Sequence, residues 1–252
     1  MDLTAKPIVF LHIPKTAGQT VHNVLARAVH PRRVSPIRVH TQAYDPETQY
    51  PPGYSLYSGH LDWCAINHLP QARFVFTVLR DPKERVASFY FYLQRKAAGM
   101  DRASLNLPQN IGLKCARDLS PDDYFFGGDE DWQVFIRSHY DNFYCTYFAT
   151  RRMLGWGETL DFTSAQLLKR ARRGLASLDQ IYATTKMLAM EQDLNTRFGT
   201  RLRLAGRYDN TSGEPTDTLR WPRLLAGFDS DAASRRMQDL VARDLTLTDG
   251  LL

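Results

Sequence analysis

Two stretches of this chain run as unbroken apolar, β-rich segments and then turn at once into helical patterns. They are "KPIVFLHI" before "PKTAGQTVHNVLARAV" and "ARFVFTVLR" before "DPKERVASFYFYLQRKAAG". A strand with no polar alternation is covered on both faces, the condition of a parallel strand held between layers of helices. Parallel strands need long crossovers, so strand–helix alternation commits the chain to an α/β fold with right-handed connections. Weaker strand signals lie at 33–41 and 180–185. Helical patterns cover 18–29, with Val21, Val24, Leu25 and Val29 on one face, and 82–99, opened by Pro82 and stopped by Gly99. Two more, 162–178 and 229–247, begin with Ser, Thr or Asp capping candidates.

A length of 252 residues is enough for one α/β domain with a proper core, and the expectation is a single domain over 1–252. No internal repeat or low-complexity linker is visible, and 44–55 and 208–217 read as loops. Residues 100–160 are rich in aromatic and turn residues and follow no simple period. This stretch reads as an insertion over one end of the sheet, a cap on the substrate side, where α/β folds bind ligands. Basic residues number 32 against 27 acids, a mild excess that suits an anionic ligand without demanding nucleic acid. The Arg-rich run 169–174 reads first as a solvated helix face, with an anion patch as the alternative. Cys64, Cys115 and Cys145 are odd in number and contain no C-x-x-C, which argues against both a disulfide framework and a structural zinc site. The N-terminal apolar run is too short for a signal peptide, and no stretch approaches the roughly 18 apolar residues of a membrane span. A soluble cytoplasmic protein is expected.

The turn after the first strand carries the chemistry. The P-loop of nucleotide hydrolases places its lysine directly after the second glycine. Here Lys15 comes before Gly18, the sole glycine of "PKTAGQT". A strand feeding a helix N-terminus still presents unpaired N–H groups and the positive end of the helix dipole. Gly18 lets the backbone approach an anion, Thr16, Gln19 and Thr20 add donors, and Lys15 stands at the entrance as a mobile charge. Taken alone, an ordinary strand–helix turn is an equal reading. In the second segment, Arg80 at the strand end and Ser88 two helical turns on can offer a guanidinium and a hydroxyl to one phosphate. The competing reading is an Arg80–Asp81 pair with a helix-starting Pro82.

Together the two motifs resemble those of the sulfotransferase superfamily. "HIPKTAGQT" is similar to its 5′-phosphosulfate loop and "RDPKERVAS" to its 3′-phosphate motif, and the nearest resemblance is to the heparan and chondroitin (glycan) branch. The likeness runs over about residues 7–95 and continues weakly through 179–199, which looks like the family's late strand–helix unit. It implies a three-layer, P-loop-like fold with a central parallel sheet flanked by helices. The implied cofactor is 3′-phosphoadenosine-5′-phosphosulfate (PAPS), with 3′-phosphoadenosine 5′-phosphate (PAP) as product and no metal.

By the same resemblance Lys15, Thr16, Ala17, Gly18, Gln19 and Thr20 bind the phosphosulfate end, and Arg80 and Ser88 the 3′-phosphate. A sulfuryl group carries less charge than a γ-phosphoryl group, so neutralisation by a divalent metal is not required. A mobile cation at the bridging oxygen, Lys15, is the natural stabiliser of the leaving phosphate. The G-H of "LYSGHLDW" maps His60 onto the family's general base, a role that suits imidazole, although a structural loop histidine is the alternative. His12 is expected to brace the strand end, and Asp62 to orient His60 or touch substrate. The segment 207–215 occupies the place of the family's nucleotide-closing loop but lacks the basic clasp of the small-molecule branch. The implied acceptor is a hydroxyl, on a carbohydrate or another small molecule. Two further readings stand beside it, a kinase-like phosphoryl transferase and a nucleotide-binding module without catalysis. The first calls for magnesium ligands and a lysine after the glycine, neither of which forms a pattern here.

Overall fold

A computed structural model of the chain describes residues 6–29, 33–206 and 219–252. The loop expected at 208–217, and with it the 207–215 segment, lies outside the described residues. Four strands are formed, β1 (Ile8–Leu11), β2 (Leu56–Gly59), β3 (Phe74–Leu79) and β4 (Gln180–Ala183). The helices are α1 (Gly18–Ala28), α2 (Pro82–Ala98), α3 (Arg102–Leu105), α4 (Ile111–Asp118), α5 (Pro121–Phe126) and α6 (Glu130–Tyr140). They continue as α7 (Phe143–Thr150), α8 (Ser164–Ala176), α9 (Met187–Phe198), α10 (Arg220–Leu225) and α11 (Asp231–Thr248).

The strands form one all-parallel sheet in the order β2-β1-β3-β4, flanked by helices, as the apolar runs require. Every residue of β1 and β3 is buried, so neither strand has a face for polar alternation to mark. On the face carrying Ile8, Phe10, Leu56, Phe74 and Phe76, the core is completed by Val21, Val24 and Leu25 of α1 and by Met190 and Leu194 of α9. Thr163 caps α8 in a reciprocal capping box with Gln166. The chain leaves β1 toward β2 and leaves β3 toward β4, so the carboxyl ends of β1 and β3 are the switch point where open α/β sheets place ligands.

Contacts divide the described residues into two compact units. One takes residues up to Arg80, those from Tyr144 to Gly206, and Leu247–Leu252, and contains the sheet. The other takes Asp81–Phe143 and the described residues from Leu219 to Thr246. It has its own core, in which Val86, Tyr90 and Phe91 of α2 pack with Tyr124, Trp132, Tyr140, Trp221 and Met237. No helix of the described residues is long and apolar enough to cross a membrane.

One expectation is corrected. Residues 33–41 form no strand. Pro36 interrupts them, and only isolated parallel bridges, Val34 to Leu56 and Val39 to His60, mark their path beside β2. The strand itself is Leu56–Gly59, four residues holding a serine and a glycine, too short and mixed to show a period. Residues 100–160, which follow no simple period in sequence, hold five short helices. Three of these are N-capped by the side chains of Asp101, Ser120 and Asp129.

Asp62 ties the loops of the sheet unit together. Its carboxylate accepts from the Met153 amide (2.7 Å) and the Gln49 side chain (3.3 Å), and its own N–H donates to Gln49 Oε1 (2.8 Å). Asp62→Ala leaves those buried donors without an acceptor and is expected to cost about 2–4 kcal/mol. Thermal unfolding followed by circular dichroism should show a fall of several degrees, with Asp62→Asn recovering part of it. An alanine variant melting within a degree of the native protein would refute the assignment.

Candidate active site

The loop between β1 and α1 is held in a conformation few residues adopt. Lys15 and Ala17, neither of them glycine, both lie in the left-handed region, at φ 72° and 61°. Each is mildly strained there, and such strain persists where the surrounding structure over-determines it. Thr16, fully buried between them, donates its hydroxyl to the Ile13 carbonyl (2.9 Å) and so closes the turn from inside. Alternating left-handed residues point successive N–H groups to one side, the geometry of an anion-binding nest. Helix α1 then starts at Gly18 with no side chain capping it and no acid in its first turn. Its N-terminal end is therefore left to a ligand or solvent. Gln19 turns along the helix to donate to Asn23 Oδ1 (2.8 Å).

Gly18 is required for space. A Cβ there would fall 1.8 Å from Cδ2 of His12, whose ring occupies that volume. His12 continues the face of Phe10, on which it stacks, and sits beside His60 with ring centroids 4.3 Å apart. The His60 Nδ1 lies 2.6 Å from the His12 carbonyl oxygen. A carbonyl only accepts, so Nδ1 carries the proton and Nε2 is the basic nitrogen of His60. The imidazole is thus oriented by backbone. Asp62, expected to orient it, is committed to Met153 and Gln49 instead.

A second polar contact lies one turn along α1. Arg38 Nη1 is 2.5 Å from His22 Nε2, and His22 Nδ1 is 3.0 Å from Ser58 Oγ. Guanidinium only donates, so His22 accepts through Nε2 and donates from Nδ1 to the serine. Burial first, and then the Arg38 charge, lower the His22 pKa from its usual 6.5 to about 4. His12 is also held well below the usual range, by burial and then by the charges of His60, Arg38, His22 and Lys15. Both histidines are neutral near pH 7, and the positive charge rests on Lys15 and Arg38.

At the end of β3, the Tyr144 hydroxyl accepts from the Arg80 amide (3.2 Å) and donates to the Arg80 carbonyl (2.9 Å), fixing the backbone from which that guanidinium projects. Thr77 ties β3 to β1 by donating to the Leu11 carbonyl (2.8 Å). In the other unit Asp81 accepts from the Glu84 amide (3.0 Å) as the N-cap of α2, with Pro82 starting the helix. The helix-starting half of the competing sequence reading is therefore correct. Ser88 is buried, and so is Arg85, which donates to the His139 carbonyl (2.9 Å) and lies over the Phe143 ring. Glu84 receives the amides of Arg220 and Trp221, each at 2.8 Å.

The structure thus brings Lys15–Thr20 and His60 together through His12, and places Arg80 after the adjacent strand of the same unit, whereas Ser88 belongs to the other unit. Sequence reasoning missed His22, Ser58, Arg38 and Tyr144. His22 and Ser58 meet only through the pairing of α1 with β2, and no spacing in the chain announces it. A model of the Sulfotransferase family matches residues 4–173 of the chain. No curated protein matches it.

The histidine assignments predict a pH response. A histidine whose folded pKa lies below its unfolded value stabilises the fold above the unfolded value, and this is lost as pH falls through the folded one. For His22 the window runs from about 6.5 down to about 4. Unfolding midpoints should decline across it, and His22→Gln should flatten the decline, leaving the share owed to His12. Equal slopes in the two proteins would exclude His22 as a source.

Proposed function

The chain belongs to the sulfotransferase family, and on that premise we propose that it moves a sulfuryl group from PAPS to an acceptor hydroxyl, on a carbohydrate. Sulfuryl transfer is the family's chemistry; donor, acceptor and residue roles are our reading. The observation that carries it is the coupling, through His12, of an anion cradle to a histidine of fixed tautomer. A bare nucleotide-binding module has no use for the second part.

PAPS, when bound, supplies the sulfuryl group and a phosphate that leaves as its bridging oxygen gains charge. The backbone amides of Lys15–Thr20 hold the phosphosulfate end, with Thr16 acting through its amide because its hydroxyl is spent on Ile13. Lys15 would supply the cation that stabilises charge developing on the leaving phosphate. His60 takes the acceptor's hydroxyl proton on Nε2 as the new sulfur–oxygen bond forms, while its Nδ1–H stays on the His12 carbonyl. Arg80 and Ser88 hold the 3′-phosphate, an assignment that rests on the "RDPKERVAS" motif. The likeness to the glycan branch supports a carbohydrate acceptor, with the aromatic stretch 100–160 as its cap.

PAP should raise the melting temperature without magnesium, and MgATP should do much less. The reverse order would favour a kinase-like phosphoryl transferase. With labelled donor and an acceptor panel read by mass spectrometry, Lys15→Ala should cut turnover about 10²–10³-fold while PAP still binds. His60→Ala should cut it about 10²–10⁴-fold and leave the PAP dissociation constant within a few-fold. Near-normal turnover in His60→Ala with a true acceptor would place the base elsewhere.

Arg80→Ala should weaken PAP about ten- to a hundredfold and adenosine 5′-phosphosulfate far less, since one charge-assisted contact to the 3′-phosphate is lost. Equal losses for the two ligands by calorimetry would remove the 3′-phosphate assignment.

A further inference from the structure

Residues 38–40 are joined to His60 by backbone on both sides. The His60 N–H donates to the Arg38 carbonyl (2.8 Å), and the His40 N–H donates to the His60 carbonyl (2.8 Å). The approach is so close that a Cβ on Gly59 would lie 2.2 Å from the Arg38 oxygen. Residues 38–40 thus run alongside the backbone of the proposed base, and two of their side chains carry buried nitrogens.

Among the described residues neither is fully satisfied. Arg38 spends one N–H on neutral His22, yet its Nε is buried and meets no hydrogen-bond partner among the described residues. Both ring nitrogens of His40 are buried and unpartnered in the same sense. No carboxylate pairs with Arg38 among the described residues. Buried donors are nearly always paired, so a half-buried guanidinium with no carboxylate beside it among the described residues calls for a partner that an anion would supply. The neutral state of His22 fits this arrangement, because it lets His22 accept from Arg38 without neutralising it.

We propose that Arg38 and His40 form a second anion subsite beside His60, which takes a multi-oxygen anion arriving with substrate. That anion is either the sulfuryl oxygens of the donor or a sulfate or carboxylate already on the acceptor. The identity of the anion rests on the sulfotransferase reading; the existence of the subsite does not. Guanidinium and imidazole together match the several acceptor oxygens of such a group.

The test titrates inorganic sulfate into native protein, Arg38→Gln, Arg38→Lys and His40→Gln, with and without saturating PAP. Arg38→Gln and His40→Gln should each weaken sulfate about tenfold or more, the usual worth of a charge-assisted bond. Arg38→Lys, which keeps the charge and loses the fork, should fall between, and carries the test with His40→Gln if Arg38→Gln does not fold. A sulfate affinity within twofold of native in the folded variants overturns the subsite. The ratio of PAPS to PAP affinity separates the sources: a ratio lowered in the variants assigns the anion to the donor's sulfuryl group, and an unchanged ratio assigns it to the acceptor. Failure of native protein to bind PAP would sink the donor reading, while loss of sulfate binding in the variants would still uphold the subsite.

Discussion

The His12 imidazole lies where any side chain at position 18 would have to go. That contact sets the distance between the end of β1 and the start of α1, and hence the shape of the turn between them. The same residue gives its carbonyl to His60 and its ring to the neighbouring imidazole. One residue at the carboxyl end of a central strand thus positions both the turn proposed to cradle an anion and the imidazole of His60. Because the strand end and the helix start are close-packed around the His12 ring, their spacing is set by the scaffold.

The electrostatics follow from the same packing. On the face of the sheet beneath α1, an apolar core of Ile8, Phe10, Val21, Val24 and Leu25 gives way to Ser58, His22, His12, His60 and Arg38 at the carboxyl end. Burial keeps His12 and His22 neutral, so His12 acts as a packing spacer and His22 as a hydrogen-bonding one, while Lys15 and Arg38 carry the charge. Positive charge held in a partly desolvated site acts on an anion more strongly than the same charge in water.

The second motif shows how a string of residues divides its labour. Within "RDPKERVAS", Asp81 caps its helix, Glu84 receives the amides of Arg220 and Trp221, and Arg85 is buried against Phe143 and the His139 carbonyl. Three of its polar residues, Asp81, Glu84 and Arg85, hold the second unit together, and the proposal for Arg80 and Ser88 rests on the likeness of the motif alone. A charged residue in a motif is thus as often a fastener as a contact.

Much of this was legible in the chain. The apolar runs at Ile8–Leu11 and Phe74–Leu79, the proline at 82 and the glycine at 99 mark strand and helix because their physics is local. The turn at 15–20 was readable as a strand-to-helix junction for the same reason, since a helix N-terminus exposes amides whatever surrounds it. What the chain alone left open is all non-local. β2 carries too little apolar pattern to be seen and exists because β1 offers it a ladder. The partner of His60 proved to be a backbone carbonyl from a residue far away in sequence, and Asp62, nearer in sequence, was taken by Met153. Arg38, His22 and Ser58 meet only once α1 lies on the sheet and residues 38–40 run beside β2. Local propensity is written residue by residue, whereas hydrogen-bond partners and buried charges are allotted by packing, and only the tertiary structure decides them.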